Sequence, residues 1–230
     1  MKGLDISSYQ NGINFDAIKN AGINFLILRA GFTGWGTGVN YNKDKSFEHF
    51  YNQSKSHNIP VGAYWYSCAN TKEKGIAEAK YMYENCLKGN QFEFPIYIDV
   101  EDTHHQVGNK RGVTDAIIGF CEYLENLGYY VGIYASDISG FKDKMYLNEL
   151  NAYDKWVAHY GNKPKYVTSA IKGFCETLEK LGMVPTHGEL KDLIKHNNDY
   201  LGVLDDSFTL YLCNGYQEKR LVLQSYRMFG

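Results

Sequence analysis

The stretch Phe94-Pro95-Ile96-Tyr97-Ile98-Asp99-Val100-Glu101-Asp102 combines a short apolar run with three acidic residues. Residues 96–100 favour strands and follow a proline, so the run predicts a buried strand. Side chains alternate across a strand, which places Asp99 and Glu101 on the same side, about 6.5 Å apart. At that separation each carboxylate perturbs the pKa of the other. One acid can then hold its proton while the other stays ionised, as acid-catalysed glycoside cleavage requires.

This Asp-x-Glu pattern has a simpler interpretation as well. Solvated acids at a strand end, or a structural ion pair, would produce the same spacing. The choice between these interpretations therefore depends on the other strands of the chain.

Composition is ordinary for a globular protein, with 44% hydrophobic and 22% charged residues among 230. The net charge of -2 does not favour electrostatic binding of nucleic acid. The five cysteines are odd in number and lack a Cys-x-x-Cys spacing, which predicts reduced, structural thiols. Twenty tyrosines give mild support to a carbohydrate ligand. No secretory signal is visible after Met1, and no apolar run is long enough to enter a membrane.

Apolar strand-like runs alternate with helical patterns along the first two thirds of the chain. This alternation predicts parallel βαβ units, and six units in a row favour a barrel over an open sheet. The predicted strands are residues 3–9, 23–30, 60–69, 96–100, 129–135 and 155–160. The predicted helices are residues 15–21, 46–57, 71–88, 113–128 and 141–150, and residues 31–38 form a glycine-rich rim loop.

Polar and aromatic residues lie where these strands end. In a βα barrel the active site is found at the carboxyl ends of the strands, so these side chains are expected at one opening. They are Asp5, Arg29, Tyr64, Asp99 with Glu101, Tyr134, and Trp156 with His159 and Tyr160.

Five segments, in order, resemble those of glycoside hydrolase family 25, the lysozymes of phage endolysins and bacterial autolysins. They are residues 3–10 (GLDISSYQ), 62–66 (GAYWY), 95–101 (PIYIDVE), 132–136 (GIYAS) and 156–160 (WVAHY). The resemblance covers residues 1–163 and implies an irregular TIM-like βα barrel, an α/β fold.

The resemblance also implies a function. Family 25 enzymes hydrolyse the β-1,4 bond between N-acetylmuramic acid and N-acetylglucosamine in peptidoglycan, without a metal or cofactor. By the family pattern Glu101 protonates the leaving oxygen, while Asp99 and Asp5 stabilise the developing positive charge or orient the N-acetyl group. The side chains expected to bind substrate are Tyr64, Tyr134, Trp156, Tyr160 and Arg29. The absence of a signal peptide suits an endolysin made in the cytoplasm and released to the cell wall.

Beyond residue 163 the chain departs from the family pattern. Residues 167–182 repeat residues 113–128 with twelve of sixteen positions identical, which predicts a duplicated helix. Residues 208–213 and 221–226 are predicted strands. The segment 164–230 then has three interpretations. It completes the barrel, with residues 223–226 as the missing strand and Asp205 or Asp206 as a fourth acid; it is an appended module that binds the cell wall or another subunit; or it leaves the barrel imperfectly closed.

The sequence is also compatible with two other functions. A barrel with an incomplete site would be a non-catalytic glycan-binding or assembly protein. A complete site could instead hydrolyse another N-acetylated glycan, such as chitin. His104 and His105, beside Asp102, suggest a metal, but adjacent residues of a regular strand cannot face one ion, so a polar rim loop is the prediction.

Overall fold

A computed structural model describes residues 2–34, 40–159, 166, 208–217 and 220–229, the last two ranges as strands. Its strands are β1 (Gly3–Ile6), β2 (Phe25–Thr33), β3 (Tyr41–Lys43), β4 (Val61–Tyr66), β5 (Ile96–Asp99), β6 (Val131–Ser136), β7 (Asp154–His159), β8 (Phe208–Gln217) and β9 (Arg220–Phe229). Its α-helices are α1 (Phe15–Asn20), α2 (Phe47–Ser56), α3 (Lys72–Met82) and α4 (Lys110–Glu125).

All of these strands belong to one sheet, in the order β1-β2-β4-β5-β6-β7-β8-β9, with β3 paired to β2. Neighbouring strands from β1 to β7 along this path are parallel, whereas β8 and β9 are antiparallel. The sheet curls until Cα atoms of β9 come within 8 Å of β1. This confirms the α/β, TIM-like architecture expected from the sequence.

Alternation along the strands separates two apolar layers. In β2, Leu26 and Leu28 belong to the large layer between the sheet and its helices, whereas Phe25 and Ile27 belong to a smaller cluster on the opposite face. The smaller cluster fills the concave interior and also includes Phe94, Tyr97 and Trp156. The helix-facing side of β2 is therefore apolar, and the concave side is available for polar residues toward the strand ends.

The predicted helix over residues 113–128 appears as α4. Its buried face consists of Val113, Ala116, Ile117, Phe120, Cys121 and Leu124. Gly75 of α3 packs on this helix so closely that a Cβ at this position would lie 2.0 Å from the carbonyl oxygen of Ala116. Cys121 has no exposed surface, which agrees with the structural role expected for the thiols.

The rim loop predicted over residues 31–38 is partly a strand pairing. β2 continues to Thr33, and β3 returns antiparallel beside it, with Gly31 opposite Lys43. A Cβ on Gly31 would lie 2.3 Å from the backbone oxygen of Asn42, so only glycine permits this approach. Residues 35–39 lie outside the described part of the chain.

The single helix predicted over residues 141–150 was wrong. The chain forms a π-helical turn at Asp137–Lys142 and a 3-10 turn at Leu147–Leu150. Between them the backbone N–H of Tyr146 donates to Thr114 Oγ1 of α4 at 2.9 Å, outside any helical ladder. A tertiary hydrogen bond therefore replaces the local one at this position.

The end of the tail joins the barrel sheet. β8 pairs with β7, and β9, which includes residues 223–226, pairs with β8. The duplicated segment 167–182, together with Asp205 and Asp206, lies outside the described residues. The division of the chain at residue 163 stays a prediction.

Within the described ranges, the helices are all too short or too polar to cross a membrane.

Glu78 is a buried carboxylate that ties α3 to two neighbouring strand ends. It accepts hydrogen bonds from Thr33 Oγ1 at 2.6 Å, from Ser67 Oγ at 2.5 Å and from the backbone N–H of Cys68 at 3.0 Å. Burial raises the pKa of Glu78 to about 7, although these hydrogen bonds act in the opposite direction.

We expect the Glu78→Gln substitution to change how stability depends on pH. The pKa of a glutamate in an unfolded chain is about 4.3, so the folded state binds more protons between that pH and about 7. The wild-type free energy of unfolding therefore loses up to about 1.4 kcal/mol per pH unit from this group across that interval. Glutamine lacks this contribution, so the variant gains stability relative to wild type as pH rises.

Urea unfolding measured between about pH 5 and about pH 8 tests this expectation. Glu73→Gln, at an exposed position of the same helix, is the matched control and is expected to follow the wild-type curve. A stability difference between wild type and the Glu78 variant that is the same at every pH would contradict the assignment.

Candidate active site

The alternation of side chains along each strand and the register between neighbouring strands bring the predicted site residues to the concave face of the sheet. Asp99, at the end of β5, pairs in register with Tyr134 of β6, which pairs with Trp156 of β7. On the other side, Arg29 of β2 pairs with Tyr64 of β4. Asp5 of β1 lies opposite Ile27, one of the interior residues. These positions share the strand face that is turned away from the helices.

Asp99 is the buried member of the acidic group, with 4% of its surface exposed. Burial raises its pKa well above the usual range, and the charges of Glu101 and Asp5 raise it further, while Lys144 and Arg29 oppose them. Its Oδ1 atom is buried and has no hydrogen-bond partner among the described residues. A buried oxygen without a hydrogen-bond partner can accept a hydrogen bond from a ligand or interact with a positive charge on it.

Glu101 lies two residues beyond the end of β5 and faces the open cleft. The surrounding protein still removes enough water to raise its pKa; Lys144 opposes this shift and Asp5 adds to it. Burial among its neighbours likewise raises the pKa of Asp5, partly offset by a backbone hydrogen bond. The structure therefore brings three carboxyl groups within electrostatic reach of one another, and each binds protons more readily than an isolated acid.

A cleft of about 380 Å³ opens beside Glu101. Its walls come from the loop after β5, the end of β6 and the turns that follow β6. The lining residues are Glu101, Thr103, Val107, Gly108, Ser136, Ser139, Asp143 and Lys144. Hydroxyl groups and both signs of charge line it, as suits a polar ligand segment.

The aromatic residues of the site differ in burial, with Trp156 buried and Tyr64 and Tyr134 partly exposed. Trp156 is only 3% exposed, and its ring centroid lies 4.6 Å from that of Tyr134 and 6.3 Å from that of Tyr64. The two tyrosines are partly exposed above it. Trp156 packs against the two tyrosines and exposes little surface of its own, and its expected role in lining the groove stays a prediction. Tyr160 lies outside the described residues.

Comparison with known proteins identifies the family. The sequence profile of the glycosyl hydrolases family 25 matches residues 4–176. This chain belongs to that family.

Relatives of this family-25 chain include the autolytic lysozyme of Clostridium acetobutylicum, 28% identical over 178 residues, which are 76% of this chain and 49% of that protein. A family 25 glycosyl hydrolase from Bacillus anthracis is 25% identical, with a TM-score of 0.57 over 72% of this chain and 73% of that one. The CTP1L endolysin is 24% identical, with a TM-score of 0.60 over 70% of this chain and 54% of that one. The chain thus spans about half the length of the lysozyme and of this endolysin.

Arg29, which was expected to bind substrate, is engaged by the scaffold of the family-25 barrel. Its Nε donates to Asp44 Oδ2 at 2.7 Å and its Nη2 to Ser8 Oγ at 3.0 Å. Asp44 Oδ2 also accepts the backbone N–H of Ser8 at 3.1 Å. Arg29 and Asp44 therefore hold the loop after β1 against the segment after β3. Sequence reasoning missed Asp44 because it follows a strand that was not predicted.

Asp102 closes the loop that follows Glu101. Its Oδ2 accepts the backbone N–H groups of His104, His105 and Gln106, which makes this segment the polar rim loop that was expected. These bonds lower the pKa of Asp102 even though burial acts to raise it.

The same residue belongs to a group of possible metal ligands. Among the described residues, Cys68, Asp102 and His105 form the one such group, with ligand atoms within 4.8 Å of one another. The loop hydrogen bonds of Asp102 already account for the position of its carboxylate. The expectation of a metal-free site stays a prediction.

We expect Arg29→Met to destabilise the fold. Asp44 has no exposed side-chain surface, and removing Arg29 would leave its charge without the guanidinium. Breaking a buried ion pair in this way costs on the order of 3 kcal/mol in the free energy of unfolding. Arg111→Met is the control, because its ion pairs with Asp115 and Glu149 are exposed and should contribute little.

Urea unfolding of both variants measures the difference. The double substitution Arg29→Met with Asp44→Asn should recover part of the loss, since no buried charge is then left unpaired. Equal stability losses in the Arg29 and Arg111 variants would contradict the role given to Arg29.

Proposed function

We propose that this chain is a muramidase, which hydrolyses the β-1,4 bond between N-acetylmuramic acid and N-acetylglucosamine in peptidoglycan. The observation that carries the proposal is Glu101, an acid of raised pKa at the mouth of the barrel, beside the buried Asp99. Membership of family 25 and likeness to an autolytic lysozyme support the same chemistry.

Glu101 is the proton donor of the proposed reaction. A general acid must remain protonated near the working pH and must reach the oxygen of the leaving sugar. Burial among neighbouring groups meets the first requirement by raising the pKa of Glu101. Its exposure in the cleft meets the second.

Asp99 and Asp5 stabilise the positive charge that develops on the sugar ring as the bond breaks. Cleavage of a glycoside passes through an oxocarbenium-like transition state, which a nearby carboxylate favours. Asp99 is suited to this because its buried Oδ1 has no partner among the described residues and can interact with the ring or its N-acetyl group. Asp5 adds a second carboxylate from the end of β1.

The sugar chain binds across the partly exposed faces of Tyr64 and Tyr134. Aromatic rings present an apolar face to the C–H surface of a sugar and a hydroxyl to its polar edge. Trp156 fixes these rings from below through its edge-to-face contacts. The cleft beside Glu101 accepts the sugar on the leaving side, and the bacterial cell wall is the place of action.

Glu101→Gln should reduce hydrolysis by roughly 100- to 10,000-fold, because the amide has no proton to give to the leaving oxygen. Clearing of cell-wall suspensions and release of reducing sugar are the two measurements. Glu122→Gln, in an exposed ion pair on α4, is the matched control and should retain full activity.

The outcome separates the candidate functions. Undiminished clearing by a folded Glu101 variant would overturn the assignment of the proton donor. Binding of wall fragments by wild type, without release of reducing sugar, would indicate a non-catalytic glycan-binding protein. Faster hydrolysis of chitin oligosaccharides than of peptidoglycan would indicate that the substrate is another N-acetylated glycan.

A further inference from the structure

Lys144 is a buried cation at the edge of the acidic group. It follows the π-helical turn Asp137–Lys142, and 8% of its surface is exposed. Its Nζ donates to the backbone carbonyl oxygen of Asp102 at 2.8 Å, and that carbonyl belongs to the residue directly after Glu101. Lys144 and Glu101 also line the same cleft. A long side chain from the segment after β6 thus reaches across to the end of β5.

Among the described residues, Lys144 has no single carboxylate as an ion-pair partner. Among the described residues it forms no ion pair within 4 Å, whereas Arg29, the other cation that acts on Asp99, is paired with Asp44 at 2.7 Å. The carboxylate of Asp102 accepts backbone N–H groups of its own loop. Lys144 is therefore a positive charge that acts on Asp99 and Glu101 together.

We propose that Lys144 is a positioning residue of the muramidase site, which fixes the backbone after Glu101 and sets the pH range in which Asp99 and Glu101 hold one proton between them. This inference rests on the proposed function of the two acids. It makes Lys144 part of how the site works although it transfers no proton itself.

The backbone part of this role follows from the hydrogen bond. Glu101 lies beyond the last residue of β5, and the backbone hydrogen bond from Val100 N–H to Tyr134 of β6, at 2.9 Å, is made by the residue before it. A charged donor bound to the next carbonyl restrains the direction in which the carboxyl group points. Hydrogen bonds from charged groups are stronger than those between neutral groups, so this restraint is firm.

The electrostatic part follows from the balance of charges around the two acids. Burial raises the pKa values of both Asp99 and Glu101, and Lys144 acts against that rise at each. The same burial lowers the pKa of Lys144, while Asp102, Glu101 and Asp99 raise it again. Among the described residues, the charged and titratable groups around the pair include Asp5 from β1, Arg29 from β2, Tyr64 and Tyr66 from β4, Cys68 from the segment after β4, Asp102 and His105 from the loop after β5, and Asp143 and Lys144 from the segment after β6.

The sign of the effect can be worked out from these charges. Removing the positive charge makes both acids bind protons more tightly, so both pKa values rise. The acidic limb of the rate profile, set by loss of the first proton from the Asp99–Glu101 pair, then moves to higher pH. The alkaline limb, set by loss of the second proton from the pair, moves in the same direction, and each limb is expected to shift by about one pH unit.

Three substitutions separate the two parts of the role. Lys144→Met removes both the charge and the donor, whereas Lys144→Gln keeps an N–H donor without the charge. Lys144→Arg keeps both. The matched control is Lys142→Met, two residues earlier at an exposed position outside the cleft. The rate of wall hydrolysis is measured against pH for wild type and all four variants.

We expect the Gln and Met variants to show both limbs displaced upward, and the Arg and Lys142 variants to keep the wild-type limbs. Should the Met variant not fold, the Gln and Arg variants still decide the result. Limbs that stay in place in the Gln variant, with activity lowered equally at every pH, would show a merely structural role and overturn the proposal.

A second measurement does not depend on activity. Carboxyl carbons of Asp99 and Glu101 are titrated by nuclear magnetic resonance in wild type and in Lys144→Gln. Higher pKa values in the variant support the proposal, and unchanged values overturn it. If wild type fails to hydrolyse cell walls, the proposed function falls, while this titration still tests whether Lys144 controls the two acids.

Discussion

Parallel strand pairing with strict side-chain alternation is the constraint on which the site depends. It turns Leu26 and Leu28 toward the helices, and it turns Phe25, Ile27 and Arg29 of the same strand toward the interior. Because β1, β2, β4, β5, β6 and β7 run the same way along the sheet, their carboxyl ends meet at one edge. Acids placed at the ends of distant strands then come together without any contact between neighbours in sequence.

Gathering acids in this way is electrostatically unfavourable, and the surrounding structure offsets the cost. Asp99 is almost fully buried, and both burial and the charges of Glu101 and Asp5 favour its neutral form. Lys144 and Arg29 act in the opposite direction from two other elements. The result is a set of acids whose proton affinities differ from those of free side chains, which is the property that proton transfer to a sugar oxygen requires.

Much of the fold was predictable from local sequence. The apolar runs that contain Asp5, Asp99 and Trp156 gave strands near their observed positions, and the spacing of Val113, Ile117 and Phe120 gave α4. The failures have specific causes. β3 depends on the absence of a side chain at Gly31. The broken helix before β7 depends on a hydrogen bond from the backbone N–H of Tyr146 to Thr114 of α4, a residue 32 positions earlier in the chain.

The sequence by itself determined where most of the strands lie and which of their residues alternate on one face, because periodicity depends on neighbours along the chain. That Asp5, Asp99 and Glu101 share one opening was an expectation from the barrel pattern and the resemblance to family 25. Only the tertiary structure decided that Arg29 binds Asp44, that Trp156 lies beneath the tyrosines, and that Lys144 reaches the carbonyl of Asp102. These contacts join elements far apart in sequence, so packing distance and burial, which no local pattern encodes, determine them.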